Sequence, residues 1–150
     1  MEKAICMHPD ARVVFFLGDG LRDIEYIMNE YPDKDYYRVS GNCDGLFTGL
    51  PVTSEVVIEG KRIMLTHGHE YGVKSGTERL ERAAFSRGAD IALFGHTHLP
   101  TERYIDGGGE SASALYLFNP GSISYTYGTE SFGIITLYRD KAPLFSHGKI

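Results

Sequence analysis

The sequence predicts an α/β fold with a second, mixed sheet, and three observations support this prediction. In the first part of the chain, apolar runs typical of buried strands are followed by short polar loops that contain glycine. Helical patterns follow several of these loops, as in βαβ units. Beyond residue 100, strand-like runs succeed one another without a helix, as in an antiparallel sheet. Because no linker or repeat divides the 150 residues, we expect one domain over residues 1–150.

The first βα unit begins with an apolar strand at residues 12–17, and the loop 18–20 follows it. Apolar residues then recur at helical spacing until Pro32 closes the helix. These apolar residues are Leu21, Ile24, Ile27 and Met28. A second strand at residues 36–39 runs into the polar loop 40–44. Upstream of this unit, the first seven residues have the pattern of the end of a helix.

A hairpin is predicted next, with strands at residues 55–58 and 61–65 and a turn at residues 59–60. Its second strand ends in Thr-His-Gly-His. Residues 75–78 read as a capping box that opens a helix, and Gly88 is the expected stop of that helix.

The following strand, residues 91–94, leads into Gly-His-Thr-His. The remaining strands are predicted at 101–105, 114–118 and 132–138, with a turn at 106–109.

Composition argues against several classes of protein. The net charge is −5, from 15 Lys and Arg against 20 Asp and Glu, so no basic face for long nucleic acids is expected. No apolar stretch approaches the roughly 20 residues that span a bilayer, so no membrane partner is expected. Two cysteines, Cys6 and Cys43, are too few for a disulfide framework and favour a reducing, cytoplasmic setting.

Metal-ligating residue types directly follow four predicted strands. They are Asp19, Asn42, His67, and the pair His96 and His98. Because the carboxyl ends of parallel strands meet at one crevice, a carboxylate, an amide oxygen and three imidazoles are expected to converge there. Such oxygen and nitrogen donors suit Mn, Fe, Zn and related divalent ions.

Taken singly, each of these motifs is common in turns or in cores. His96 and His98 are the more specific pair, since a spacing of two at a strand end places both rings on one side. The occurrence of all four motifs after strands in one short chain favours the functional interpretation over coincidence.

With these motifs the sequence resembles the calcineurin-like metallophosphoesterases, and among them the small bacterial and archaeal phosphodiesterases. The matching segments are Leu-Gly-Asp (17–19), Gly-Asn-Cys-Asp (41–44), Leu-Thr-His-Gly-His (65–69), Gly-His-Thr-His (95–98) and Asn-Pro-Gly-Ser (119–122). The resemblance implies a four-layer α/β/β/α sandwich with two mixed sheets. It also implies hydrolysis of a small phosphodiester or phosphomonoester by hydroxide held on divalent metals.

The resemblance further implies two metal ions, with Mn as the first choice and Zn, Fe, Ni or Mg as alternatives. Asp19 would bridge the two ions, and His98 would bind the first of them. Asn42, His67 and His96 would bind the second ion.

Among the candidate catalytic residues, His69 is expected either to touch the substrate or to stabilise its loop. Asp44 is expected to orient a neighbouring imidazole or backbone amide rather than to react. Cys43 stands where many relatives carry a histidine that protonates the leaving group. A thiol is a poor substitute in that role, and a small filler of the core is an equally good interpretation.

The family normally opens with a strand that ends in Asp-x-His, and this sequence lacks that motif. The expected consequence is a gap in the parallel sheet beside residues 13–17, and a first metal site with only Asp19 and His98 as protein ligands. Three explanations stay open: a misassigned start codon, a shortened form that obtains a strand from another subunit, and a degenerate one-metal or non-catalytic copy.

The leading function is therefore a metal-dependent phosphoesterase acting on a small phosphoester, and a homo-oligomer is compatible with this interpretation. The alternative is a catalytically impaired metal-binding or scaffold protein of the same fold, since the retromer subunit of eukaryotes has a similar arrangement of motifs.

Overall fold

A computed structural model describes residues 1–45, 48–107, 114–124 and 130–150. The helices are α1 (Glu2–Met7), α2 (Leu21–Glu30) and α3 (Glu78–Ser86). The strands are β1 (Val13–Phe16), β2 (Asp35–Arg38), β3 (Thr53–Ile58), β4 (Lys61–Thr66), β5 (Ile91–Phe94), β6 (Pro100–Ile105), β7 (Leu115–Pro120), β8 (Ser131–Thr136) and β9 (Leu144–Lys149). Within these ranges, each helix is too short or too polar to cross a membrane.

Five strands form a mixed sheet in the order β3-β4-β5-β7-β6. The central strands β4, β5 and β7 run parallel, whereas β3 and β6 pair antiparallel at the two edges. Every residue of β5 is buried, as the continuous apolar run at residues 91–94 predicts for a strand covered on both faces. Because β4 and β5 are parallel neighbours, their carboxyl ends lie side by side.

The elements stack in four layers. On one face of the five-stranded sheet, α3 buries Leu80 and Ala84 against Met64 and Ala92. The other face packs against β1–β2 and β8–β9 through a second apolar cluster that includes Leu93. Helices α1 and α2 cover the outer side of β1–β2. The expected four-layer α/β/β/α arrangement is confirmed.

The second sheet layer consists of two separate pairs among the described residues. Strands β1 and β2 are parallel, and β8 and β9 are antiparallel. The backbone N–H of Asp35 donates to the carbonyl of Arg12, and that of Val39 donates to Phe16. Because backbone groups alternate along a strand, Val13 and Phe15 direct theirs to the opposite edge of β1. That edge pairs with no strand in the described ranges, which is the gap expected from the sequence.

Local details confirm some sequence predictions and correct others. The turn between β3 and β4 has positive φ at Glu59 and Gly60, as a tight hairpin requires. Gly88 ends the α3 region with φ +64°, as expected. The prediction of a capping box at residues 75–78 is wrong. Helix α3 begins at Glu78, and the hydroxyl of Thr77 donates to Glu81 (2.7 Å) instead of capping the backbone.

Strand β9 has no counterpart among the predicted elements. Of the predicted turn at residues 106–109, positions 108 and 109 lie outside the described residues.

Candidate metal centre

Each predicted metal ligand lies in the loop that follows a strand. Asp19 follows β1, Asn42 follows β2, His67 follows β4, and His96 and His98 follow β5. The loops after β4 and β5 are joined by a backbone hydrogen bond from Gly95 to the carbonyl of His67 (3.1 Å).

The tautomer of His67 follows from its position in the core. Its side chain is 3% exposed, and its Nδ1 lies 2.7 Å from the carbonyl oxygen of Leu17. A carbonyl oxygen only accepts hydrogen bonds, so Nδ1 carries the proton and donates. Burial lowers the pKa of His67, outweighing the opposite effects of the Leu17 carbonyl and the Asp19 carboxylate. The ring is therefore neutral, and Nε2 presents an unprotonated lone pair.

Three further polar atoms surround this lone pair. The Nε2 of His67 lies 3.1 Å from Asn42 Oδ1, 3.0 Å from His96 Nδ1 and 3.3 Å from Asp19 Oδ2. The Nδ2 of Asn42 donates to Cys43 Sγ (3.3 Å), which leaves Oδ1 facing the histidine. Neither the amide oxygen nor the carboxylate oxygen can donate a proton to Nε2. Asp19 and Asn42 thus turn acceptor oxygens toward the lone pair of Nε2, and of its three neighbours only His96 Nδ1 can carry a proton. A cation held between these donor atoms would stabilise the arrangement.

The donor set fits a divalent transition metal. It combines two imidazole nitrogens, a carboxylate oxygen and an amide oxygen, which are ligands that Mn, Fe and Zn accept. Donor separations of 3.0–3.3 Å around His67 Nε2 are also those expected between neighbouring ligands of one ion. Among the described residues, no group of three or more His, Cys, Asp or Glu side chains has the geometry of a metal site by itself. The amide oxygen of Asn42 is the fourth donor, beside the two imidazoles and the carboxylate.

Three candidate ligands have a left-handed backbone conformation, which residues other than glycine rarely adopt. Asp19, His96 and His98 have φ values of +62°, +66° and +61°. Each such residue costs on the order of 1–3 kcal/mol, and residues of this kind cluster where function requires them. Burial, followed by the positive charge of Lys74, lowers the pKa of His96 and favours its neutral, metal-binding form.

Two glycines allow the loops after β1 and β2 to touch. A Cβ at Gly18, where φ is +90°, would lie 2.5 Å from the backbone nitrogen of Gly41. A Cβ at Gly41 would collide with the Oδ1 atom of Asp19. Glycine at both positions thus allows Asp19 and Asn42 to approach the same atom, Nε2 of His67.

Asp44 lies beneath the ligands and contacts backbone amides. Its Oδ2 accepts hydrogen bonds from the N–H groups of Asp19 (2.7 Å) and Gly41 (2.8 Å), and its Oδ1 accepts from Gly20 (2.7 Å) and Leu21 (3.2 Å). Partial burial would raise its pKa, but these hydrogen bonds outweigh that effect and lower it. Asp44 is therefore a carboxylate that positions the loop of Asp19.

Of the other two predicted histidines, His69 lies beside this group of donors and His98 follows His96 in the loop after β5. His69 begins a 3-10 turn (His69–Tyr71), with its ring centroid 5.3 Å from that of His67 and 6.1 Å from that of His96. Its Nδ1 is buried without a hydrogen-bond partner among the described residues. His98 is partly buried, two residues beyond His96 in the same loop.

Asn119 supports the loop of His96 and His98, a role that the sequence did not reveal. The side chain is fully buried, and its Nδ2 donates to the carbonyl of Gly95 (3.1 Å) and to Thr97 Oγ1 (3.0 Å). Its Oδ1 accepts the N–H of Gly121 (2.9 Å). A polar residue at the end of the apolar strand β7 was the available signal, since the polar residues of the other four motifs also lie near strand ends.

Comparison with known proteins gives a consistent result. A family model described as the calcineurin-like phosphoesterase superfamily domain matches residues 2–141. A probable metallophosphoesterase of Bacillus subtilis, YsnB, is 36% identical over 144 residues, covering 93% of this chain and 78% of its own length. The phosphodiesterase YfcE of Escherichia coli is 32% identical over 117 residues, covering 72% of this chain. This chain spans 55% of YfcE, so it matches just over half of that relative.

Among solved structures, Vps29 of Entamoeba histolytica in complex with Zn²⁺ has a similar fold. Its TM-score is 0.70, with 22% identity and coverage of 92% of this chain and 82% of that one. At this identity the likeness concerns the fold alone.

Proposed function

Because the chain belongs to the calcineurin-like phosphoesterase superfamily, we propose that it is a metal-dependent phosphoesterase acting on small phosphoesters. The observation that carries this proposal is the group of lone pairs around His67 Nε2, which a bound cation would stabilise. The names of the relatives, metallophosphoesterase and phosphodiesterase, support the same class of reaction.

The proposed ligands are the donor atoms around His67 Nε2. Asp19 Oδ2, Asn42 Oδ1, His67 Nε2 and His96 Nδ1 would hold one divalent ion. His98, in the same loop as His96, is the proposed ligand of a second ion together with Asp19. When bound, such ions stabilise negative charge on phosphoryl oxygens and make water a stronger nucleophile at neutral pH.

The protein keeps these ligands in their reactive state. The carbonyl of Leu17 holds the proton of His67 on Nδ1, so that Nε2 is always the ligating atom. Asp44 holds the backbone of Asp19, and Asn119 holds the loop of His96. Preorganisation of this kind avoids rearrangement during phosphoryl transfer.

His69 is the proposed contact to the phosphoryl group. Its Nδ1 is buried and has no hydrogen-bond partner in the part of the chain that the structure describes, although a buried ring nitrogen normally has one. Its ring packs close to those of His67 and His96. A hydrogen bond to a phosphoryl oxygen would satisfy this nitrogen and stabilise charge as it develops in the transition state.

The experiment has two readouts on the same preparations. Metal content per chain is measured after loading with Mn²⁺ and desalting, and hydrolysis of bis-(p-nitrophenyl) phosphate and p-nitrophenyl phosphate is followed. We expect bound metal and turnover in the wild type, and loss of both in His67→Ala and Asp19→Ala. The control His8→Ala removes an imidazole that packs on Phe132 outside the site, and it should keep both.

The two readouts separate the alternatives. Bound metal without turnover of either ester would favour the metal-binding or scaffold protein of the same fold. Absence of bound metal in the wild type would contradict the proposal itself.

A further inference from the structure

His147 lies on strand β9, and its ring packs on an aromatic residue of the five-stranded sheet. Phe145 and His147 are two positions apart, so their side chains point to the same face of β9. Both rings stack on Phe118, with centroid separations of 5.0 and 4.6 Å and interplanar angles of 30° and 20°. Because Phe118 is 2% exposed and belongs to the core, the imidazole rests on a rigid surface.

A glycine on the neighbouring strand leaves room for this ring. Gly133 of β8 is the cross-strand partner of His147, and directly opposite residues of an antiparallel pair share a face. A Cβ at Gly133 would collide with the ring of Phe118. Any larger residue at position 133 would therefore compete with His147 for contact with Phe118.

The stacked ring donates a hydrogen bond to β7. The Nε2 atom of His147 lies 2.8 Å from the backbone carbonyl oxygen of Asn119. A carbonyl oxygen only accepts hydrogen bonds, so Nε2 carries a proton and donates. Asn119 is fully buried, and an apolar residue in place of His147 would deprive its carbonyl of this donor.

The same asparagine contacts the loop after β5. Its Nδ2 donates to the carbonyl of Gly95 and to Thr97 Oγ1. His96 and His98, on either side of Thr97, have a left-handed backbone, which persists only where the surrounding structure holds it. Contacts therefore run without interruption from β9 in the second sheet layer to the loop that carries two candidate ligands.

We propose that His147 is a positioning residue for the metal centre. It holds the backbone of Asn119, which keeps the Asn119 side chain in contact with the loop of His96 and His98 and keeps that loop in its ligating conformation. The inference rests on the proposed function, because that function supplies the metal ion that the loop would bind. His147 acts through Asn119 and is not itself a proposed ligand.

The test uses two substitutions that separate the hydrogen bond from the stacking. His147→Phe keeps an aromatic ring on Phe118 but has no donor, so the affinity of the folded protein for Mn²⁺ should fall roughly tenfold. In His147→Gln the amide nitrogen is as many bonds from Cα as Nε2 is in histidine, so it can donate to the same carbonyl. Affinity in this variant should stay within about threefold of the wild type. Titration with Mn²⁺ measures both.

Phe145→Leu is the matched control. It removes the other ring that stacks on Phe118 and leaves the hydrogen bond from His147 to Asn119 in place. Its Tm should fall, whereas its affinity for Mn²⁺ should equal that of the wild type. Equal losses of Mn²⁺ affinity in Phe145→Leu and His147→Phe would show a purely structural role of β9 and would overturn the inference.

A measurement without metal distinguishes this inference from the proposed function. The N–H of Gly121 donates to Asn119 Oδ1, so its hydrogen exchange reports on the position of the asparagine side chain. In metal-free protein this exchange should be roughly three- to tenfold faster in His147→Phe than in the wild type, and close to the wild-type rate in His147→Gln.

Two results would contradict the role of His147. One is exchange of Gly121 at the wild-type rate in His147→Phe, and the other is a wild-type affinity for Mn²⁺ in that variant. If the wild type binds no Mn²⁺, the proposed function fails, and the exchange of Gly121 alone then decides whether His147 holds the loop.

Discussion

The carboxylate of Asp44 binds the backbone N–H of Asp19 at 2.7 Å and, through the same oxygen, the N–H of Gly41 at 2.8 Å. One side chain thus ties together the two loops that supply the oxygen ligands of the metal centre. Since Asp19 has a left-handed backbone, this carboxylate also stabilises a conformation that a non-glycine residue rarely adopts.

Asp44→Asn should weaken both folding and metal binding. The new NH₂ group would face backbone N–H groups that now donate to a carboxylate oxygen, leaving them without an acceptor. We expect the free energy of unfolding to fall by about 2 kcal/mol. Affinity for Mn²⁺ should fall roughly 10–100-fold, as is typical when a group that orients a ligand is lost. Chemical denaturation and titration with Mn²⁺ measure the two effects.

The matched control is Asp23→Asn in the first turn of α2, which changes the same charge outside the site. It should leave the affinity for Mn²⁺ unchanged. Equal affinities in Asp44→Asn and the wild type would show that Asp44 does not position Asp19.

Gly41→Ala should damage the site by crowding. The added Cβ collides with Asp19 Oδ1, and overpacking of this kind costs about 1–3 kcal/mol. Because the displaced group is a proposed ligand, Mn²⁺ binding should weaken together with stability. Thermal denaturation with and without Mn²⁺ measures both.

A comparison with Gly45→Ala separates crowding from backbone strain. Gly45 has φ +87°, but a Cβ there meets no atom of the described residues within 4 Å. This variant should lose stability while keeping its affinity for Mn²⁺. If both variants bound Mn²⁺ equally well, the contact between the loops of Asp19 and Gly41 would not matter for the metal.

The sequence was sufficient for the features that depend on local pattern. The apolar run at residues 91–94 became a fully buried strand, and His67 and His96 came together because their strands are parallel neighbours. The order of motifs also identified the family. These features are readable because strand burial and the meeting of carboxyl ends are general consequences of an α/β sheet.

Features that depend on tertiary contacts could not be predicted from the sequence. Strand β9 alternates weakly in sequence, and it forms because it pairs with β8 and because Phe145 and His147 stack on Phe118 at 5.0 and 4.6 Å. Thr77 appeared to belong to a capping box, but it bonds to Glu81 in the folded chain. The carbonyl of Leu17, which fixes the tautomer of His67, has no signature in a sequence.

Asn119→Ala should loosen the loop that carries His96. The carbonyl of Gly95 and the N–H of Gly121 would lose a buried partner, at about 1–3 kcal/mol for each group left unsatisfied. We expect lower stability and weaker Mn²⁺ binding. Asn29→Ala, on the exposed side of α2, is the control and should change neither property by much. Intact Mn²⁺ affinity in Asn119→Ala would limit Asn119 to a role in stability.

Tyr31 gives a prediction for high pH. Its hydroxyl lies 3.3 Å from Cys6 Sγ, and this contact, followed by burial, raises the pKa of Tyr31 to about 12 from 10.0. A raised pKa favours the neutral phenol in the folded state. Its contribution to stability is therefore present below pH 10 and is lost as the pH rises from 10 to 12.

Cys6→Ala should bring the pKa of Tyr31 closer to 10.0, as followed by the ¹³Cζ shift of Tyr31. The control is Cys43→Ala, which removes the other free cysteine. A pKa for Tyr31 that is the same in the wild type and in Cys6→Ala would show that the thiol does not cause the shift.

Asn42→Ala tests whether lone pairs do face one another at His67. If the amide oxygen opposes the lone pair of Nε2, its removal relieves repulsion, and metal-free protein should be as stable as the wild type or more stable. With Mn²⁺, the wild type should gain stability according to its affinity, about 2.7 kcal/mol at a hundredfold excess over Kd. The variant should gain less, because a ligand is lost. Thermal denaturation after treatment with EDTA and after loading with Mn²⁺ gives both values.

A loss of stability in metal-free Asn42→Ala would indicate that Asn42 is a hydrogen-bond donor to His67. If Asn42 instead donated its NH₂ group to Nε2, Asn42→Ala would remove a hydrogen bond and lower the stability of the metal-free protein by about 1 kcal/mol. Asn29→Ala reports the effect of losing an exposed asparagine on its own. A metal-free Asn42→Ala protein that is clearly less stable than this control would mean that the site is a satisfied hydrogen-bond network without need of a cation.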